Sequence, residues 1–226
     1  MAVTALNLLQ NGNAADQTSY ATASVTPSAG KLLLLSVHNA VGAGTANVPT
    51  VTGCGVTWVQ VATVTTSGLT QRITVYRALG VPTAGALTID MAGQTQDRAM
   101  WILDEFDGVE TGGANGADAV VQSNSGTWSS TNTGVSLSLS AFASGENATY
   151  GTIRKNQTTG ITPGSGFNEL ADSTTLIASS EHQTQWKDTP DTSVDWSWAS
   201  ETNSGIYIAL EIKSGRSGGG YIHTSV

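Results

Sequence analysis

The residues whose types could carry chemistry are three histidines, His38, His182 and His223, and an acidic run of Asp104, Glu105, Asp107 and Glu110. A metal ion or a general base needs partners at set spacings such as HxH or HExxH, and none of the histidines has one. They read as residues of a strand end, a strand flank and a tail, and no metal or other cofactor is expected. The acidic run, Trp101-Ile-Leu-Asp-Glu-Phe-Asp-Gly-Val-Glu, has enough oxygen donors for calcium but lacks the EF-hand loop spacing. It reads instead as a strand leaving the core into a turn at Asp107-Gly108. Alternation places Trp101, Leu103 and Glu105 on one face and Ile102, Asp104 and Phe106 on the other, so each face carries a carboxylate among apolar neighbours. Such a group is expected to bond backbone N–H groups of a turn or an arginine, with Arg72, Arg77 and Arg98 as candidates.

Glycoside hydrolysis would need two carboxylates about 5–9.5 Å apart across a cleft. Glu105, Glu181, Glu201 and Glu211 are the candidates, while Asp188, Asp191 and Asp195 fall in a loop around Pro190. No Glu-x-Asp-x-Glu cluster, no Gly-x-Ser-x-Gly elbow with triad partners and no phosphate-cradling Gly-Lys-Ser/Thr turn is present. The expectation is a protein that is not an enzyme, with no catalytic residues.

Tryptophan is the more informative type. Trp196 and Trp198 are i, i+2 and project from one face of a strand, and Trp186 closes the strand before it. With Trp128 they are either bulky core fillers, which the low aromatic content elsewhere favours, or a surface platform for stacking sugar rings. The sequons Asn147-Ala-Thr and Asn156-Gln-Thr carry little weight without an export signal, and no basic segment precedes an apolar run at the N-terminus.

The elements that must position these residues are strands. The chain has 226 residues, 12% of them charged, 26 glycines and a formal net charge of −8. Serine and threonine make up roughly a quarter of it, a composition of short strands joined by turns. Nine Lys and Arg against 17 Asp and Glu argue against a phosphate-tracking groove, so no nucleic-acid partner is expected. One cysteine, Cys54, excludes an internal disulfide framework. The longest apolar run, Leu32 to Leu35 with Val37, is too short to cross a bilayer by helix, and no membrane partner is expected.

Period two recurs at Val135–Ser140, Ile206–Lys213 and Leu87–Met91. Further strands are predicted over Ala5–Leu9, Thr22–Thr26, Lys31–His38, Trp58–Thr65, Arg72–Arg77, Met100–Phe106, Thr149–Arg154, Gln183–Lys187 and Val194–Trp198. About a dozen strands predict an all-β, two-sheet antiparallel β-sandwich of jelly-roll type, in a single domain over residues 1–213. No internal repeat is visible. Residues 214–226 form a Gly-rich C-terminal arm, expected to be flexible, whose apolar tip, Tyr221, Ile222 and Val226, would bind a partner.

Several stretches carry a resemblance. Arg72-Ile-Thr-Val-Tyr-Arg-Ala-Leu-Gly runs into Pro82-Thr-Ala-Gly-Ala-Leu-Thr-Ile-Asp. Later come Glu105-Phe-Asp-Gly-Val, Asn147-Ala-Thr-Tyr-Gly, Pro163-Gly-Ser-Gly-Phe and Asp191-Thr-Ser-Val-Asp-Trp-Ser-Trp-Ala. Together, over residues 15–212, they resemble β-rich virion structural proteins of tailed bacteriophages and prophages, through strand-and-turn text rather than an active-site motif. The resemblance implies a capsid decoration protein, head fibre or tail-fibre domain located in the virion. It would be made in the host bacterial cytoplasm, would contact other virion proteins and copies of itself, and would use no cofactor. The alternative is a tail-fibre module binding a host surface glycan through Trp128, Trp196 or Trp198.

Overall fold

A computed structural model describes residues 2–173 and 179–215. Among them the first half of the chain forms β1 (Thr4–Asn13), β2 (Ser19–Ala21), β3 (Leu32–Ala40), β4 (Thr50–Gly53), β5 (Val59–Thr65), β6 (Gln71–Ala78), β7 (Leu87–Asp90) and β8 (Arg98–Asp107). A 3₁₀ turn, Ala114–Ala119, leads into the second half. That half forms β9 (Val120–Trp128), β10 (Asn132–Ser138), β11 (Ala148–Asn156), β12 (Thr162–Pro163), β13 (Asn168–Asp172), β14 (Ser180–Lys187), β15 (Ser193–Thr202) and β16 (Gly205–Ile212).

The all-β antiparallel sandwich expectation holds, but four sheets replace the two expected. The first half pairs β1-β8-β3-β6-β5 and, separately, β2-β7-β4. The second pairs β9-β16-β11-β14-β13 and β10-β15-β12. Counted from the start of each half, the two orders are identical: 1-8-3-6-5 opposite 2-7-4. Registers agree as well. Ser36 faces Val75 and His38 faces Ile73 across β3 and β6, just as Thr152 faces Thr184 and Arg154 faces His182 across β11 and β14. The chain is thus an internal duplication at the level of strand order, although no repeat shows in its sequence. In a strict jelly roll the fifth strand would join the smaller sheet; here β5 and β13 pair instead with β6 and β14 on the larger one.

Three apolar cores separate the four layers. One lies inside the first half, around Leu33, Leu35, Val37, Tyr76, Leu87, Ile89 and Trp101. One lies inside the second half, around Ile153, Val194, Trp196 and Trp198. The third joins the two five-stranded sheets, with Leu32, Leu34, Val75 and Phe106 against Tyr150, Ile206, Ile208 and Leu210. Both faces of the five-stranded sheets are therefore covered. This is why every residue of β3 is buried and why its sequence starts as an unbroken run of leucines rather than alternating. The outer strands β1, β5, β9 and β13 each carry a register shift against their neighbour, a bulge that bends an edge away from further pairing.

Strand prediction failed where burial is weak. Thr22–Thr26 lies beyond β2 and contributes only the isolated bridge of Val25 to Gly85. β2, β4, β9, β12 and β13 were not expected. The exposed edge β9, Val-Val-Gln-Ser-Asn-Ser-Gly-Thr-Trp, has no apolar alternation to reveal it.

Candidate functional site

Alternation along β3 sends Leu32, Leu34, Ser36 and His38 into the layer between the halves, and β11 sends Ala148, Tyr150, Thr152 and Arg154 into it from the other side. At one end this layer is apolar; at the other it is polar. There Ser36 Oγ lies 2.9 Å from Thr152 Oγ1 and 2.9 Å from His182 Nε2, and Thr152 Oγ1 lies 3.1 Å from the same nitrogen. Ser36 and Thr152 hold equivalent places in the two halves, so equivalent side chains meet across the layer. His38 and His182, far apart in sequence, have ring centroids 6.4 Å apart. Arg154 donates through Nε and Nη2 to Ser180 Oγ.

This is the arrangement nearest to a nucleophile and its base. Its electrostatics and access make it a lock. Ser36, His38, Thr152 and His182 are fully buried and Arg154 is 1% exposed, so no substrate reaches them. Among the described residues, His182 Nδ1 has no hydrogen-bond partner to orient the ring. Burial, and then the charge of Arg154, pushes the His182 imidazole down to about 3, and His38 is held well below its ordinary value for the same two reasons. Both rings are neutral hydrogen-bonding groups at neutral pH. Reading them as isolated strand residues missed their meeting, because only the stacking of two sheets brings them together.

The carboxylates of the acidic run serve as structural acceptors. Asp104 and Glu105 are buried on opposite faces of β8, as alternation predicted. Glu105 accepts from the backbone N–H of Ser28 at 2.6 Å and pairs with Lys31 at 3.5 Å. The backbone partner was expected; the cation is a lysine rather than an arginine. Asp104 accepts from Asn7 Nδ2 at 2.9 Å and from the Tyr150 hydroxyl at 3.4 Å, and burial pushes its carboxyl up to about 7. Asp107 accepts from the N–H of Gly108, and Glu110 from those of Thr111 and Gly112. Glu211 is the counterpart of Glu105 in the second half, accepting from Gln122 at 2.6 Å and Asn147 at 2.5 Å. Glu181 pairs with Lys155 inside the second half, and Glu201 lies exposed on β15. Asp191 binds Lys187 at 2.7 Å and the N–H of Ser193 at 3.0 Å, while Asp195 accepts from the Ser193 hydroxyl.

Trp128, Trp196 and Trp198 are 8%, 2% and 4% exposed. An indole needs a bare face to stack on a sugar, and these faces are spent on one another: Trp128 stacks on Trp198 with centroids 5.3 Å apart, and both Trp128 and Trp196 pack on Tyr207. The sugar-stacking reading of these three residues is corrected on that ground. Trp186 points the other way, edge-on to Phe106 in the central core. The Asn147 side chain is buried, held by Glu211 and the N–H of Ser214, so this sequon offers no accessible amide. The arm residues Tyr221, Ile222 and Val226, with His223, lie outside the described residues.

Open surface concavities occur at the strand ends. One of about 770 Å³ is lined by Glu110, Ala117, Asp118, Val120, Val121, Asn147 and Lys213. A smaller one of about 200 Å³ lies at the equivalent place of the first half, lined by Thr4, Leu6, Lys31, Glu105 and Asp107. Beside the larger cleft the segments leaving β8 and β16 pair antiparallel through Val109 and Ser214, with Glu110 N–H on Lys213 O at 2.9 Å and Gly215 N–H on Gly108 O at 2.8 Å. Comparison with family models, with curated proteins and with solved structures returned no match.

Proposed function

We propose that this chain is a non-enzymatic structural component of a tailed-phage virion, of the capsid decoration or fibre type, acting through protein–protein contacts with other virion proteins and with copies of itself. The observation that supports it best is the construction of the molecule. Two halves of one strand order are fused through a buried layer, and the pair nearest to catalytic geometry is spent on joining them. Such a block presents strand-end clefts and loops as contact surfaces. The resemblance of residues 15–212 to phage virion proteins supplies the setting. Bulged edges favour contacts through the ends of the block and through the arm bearing Tyr221, Ile222 and Val226 over strand-to-strand addition.

The test is reconstitution. Particles produced without this chain are incubated with the purified protein, and bound copies are counted by quantitative mass spectrometry. Saturable binding at a fixed ratio to the major shell or tail protein is expected. Binding that never saturates, or none, overturns the reading.

A further inference from the structure

Inside the second half, one face of the sheet carries Lys155 from β11, Glu181 from β14 and Asp172 from β13: Lys155 lies opposite Glu181, and Asp172, opposite Gln183, lies diagonal to Glu181 on the same face. Lys155 Nζ donates to Glu181 Oε2, to Gln157 O at 3.0 Å and to Thr159 Oγ1 at 3.1 Å, which uses its three protons. Asp172 Oδ2 accepts from the N–H of Ile161 at 3.4 Å. The remaining oxygens, Asp172 Oδ1 and Glu181 Oε1, are both buried and meet no N–H or O–H donor among the described residues, and the charge of Glu181 acts on Asp172 across this face. Two anions buried on one face repel; one proton held between them would serve both lone oxygens. With Lys155 bound to Glu181, the proton belongs on Asp172.

We propose that Asp172 and Glu181 form an acid–carboxylate pair that holds one proton at neutral pH, and that losing it releases the end of β13 and the segment 157–163 that covers it. This inference does not depend on the virion reading. Burial, then the charge and hydrogen bond of Glu181, and finally Glu169 all raise the Asp172 carboxyl toward neutrality. The other groups packed around the pair do not replace the proton. Segment 157–163 and strand β1, which contacts β13 from the opposite face, carry no ionisable side chain, and β15 contributes Trp198 over Lys155.

The duplication supplies an internal control. The places of Asp172 and Glu181 are held in the first half by Thr63 and Arg72, where Arg72 Nη1 donates to Thr63 Oγ1 at 2.9 Å. That pair has no proton to lose near neutral pH, so the effect is confined to the second half.

The experiment is a carbon-detected carboxyl titration of the full chain, with amide exchange corrected for its intrinsic pH dependence. The Asp172 carboxyl is expected to titrate above about pH 6. From about pH 6 to pH 9, exchange at Ile161 and Ser173 should rise about tenfold in the wild type but not in Asp172→Asn, with the Thr63 region unchanged in both. An Asp172 midpoint near its ordinary value overturns the proposal, and so does an equal rise in both proteins. Protection restored at high pH by calcium alone would overturn it in favour of a cation site.

Discussion

Asp104 and His182 occupy the same buried layer and pull stability in opposite directions with pH. The folded-state value of His182, about 3, lies below its ordinary 6.5, so the stability gained by keeping the ring neutral is present above pH 6.5 and lost as pH falls toward 3. The folded-state value of Asp104, about 7, lies above its ordinary 3.8, so its contribution is present below pH 3.8 and lost as pH rises through 7. Between these limits the two slopes partly cancel. Removing the carboxyl with Asp104→Asn should steepen the loss of stability on acidification by about 1.4 kcal/mol per pH unit between roughly pH 6.5 and 4. Urea denaturation at several pH values checks this, and curves parallel to the wild type would contradict it. His182→Gln should flatten the same acid limb. At this scale the sequence showed which side chains are unusual but not their neighbours. Asp104 and Glu105 could be assigned to opposite faces from alternation alone, whereas nothing local indicates that Ser36 meets Thr152 and His182.

Strands were legible where one face is apolar and the other polar, as in β10, or where both faces are buried, as in β3 and β16. Polar outer strands such as β9 and β13 were not, because their stability comes from a neighbour and not from their own pattern. Two positions show how elements make room for the indoles. A Cβ at Gly151 on β11 would sit 2.6 Å from Trp196 Cζ2 and 2.9 Å from Val194, and one at Gly205 on β16 would collide with the Trp128 ring. Gly151→Val should therefore cost about 1–3 kcal/mol through overpacking. Thermal unfolding followed by near-ultraviolet circular dichroism measures both the loss and the disturbed indole packing. An unchanged midpoint would mean that the inner layer of the second half is looser than described. Trp196→Ala should cost about 3–5 kcal/mol in the same assay, as expected for emptying a buried aromatic site.

The whole molecule is a stack of four sheets whose middle layer belongs equally to both halves. Neither half keeps its share of that layer alone, so residues 1–110 expressed separately should associate or aggregate, which light scattering would show. The duplication was hidden in the sequence because its repeated features are strand order and register, while the side chains at matching places differ, as Thr63 and Arg72 differ from Asp172 and Glu181. Truncation after Gly215 spares the hydrogen bonds of Ser214 and Gly215 and should leave the unfolding midpoint within about 2 °C of the full chain, while weakening particle loading if the arm is an anchor. Equal loading of both forms would assign the contact to the block itself. The most direct test of the central claim is electron cryomicroscopy of purified particles, with and without this chain. The claim predicts repeated copies of a four-layered density at fixed positions on the particle that vanish in its absence. Identical maps from the two preparations would contradict it.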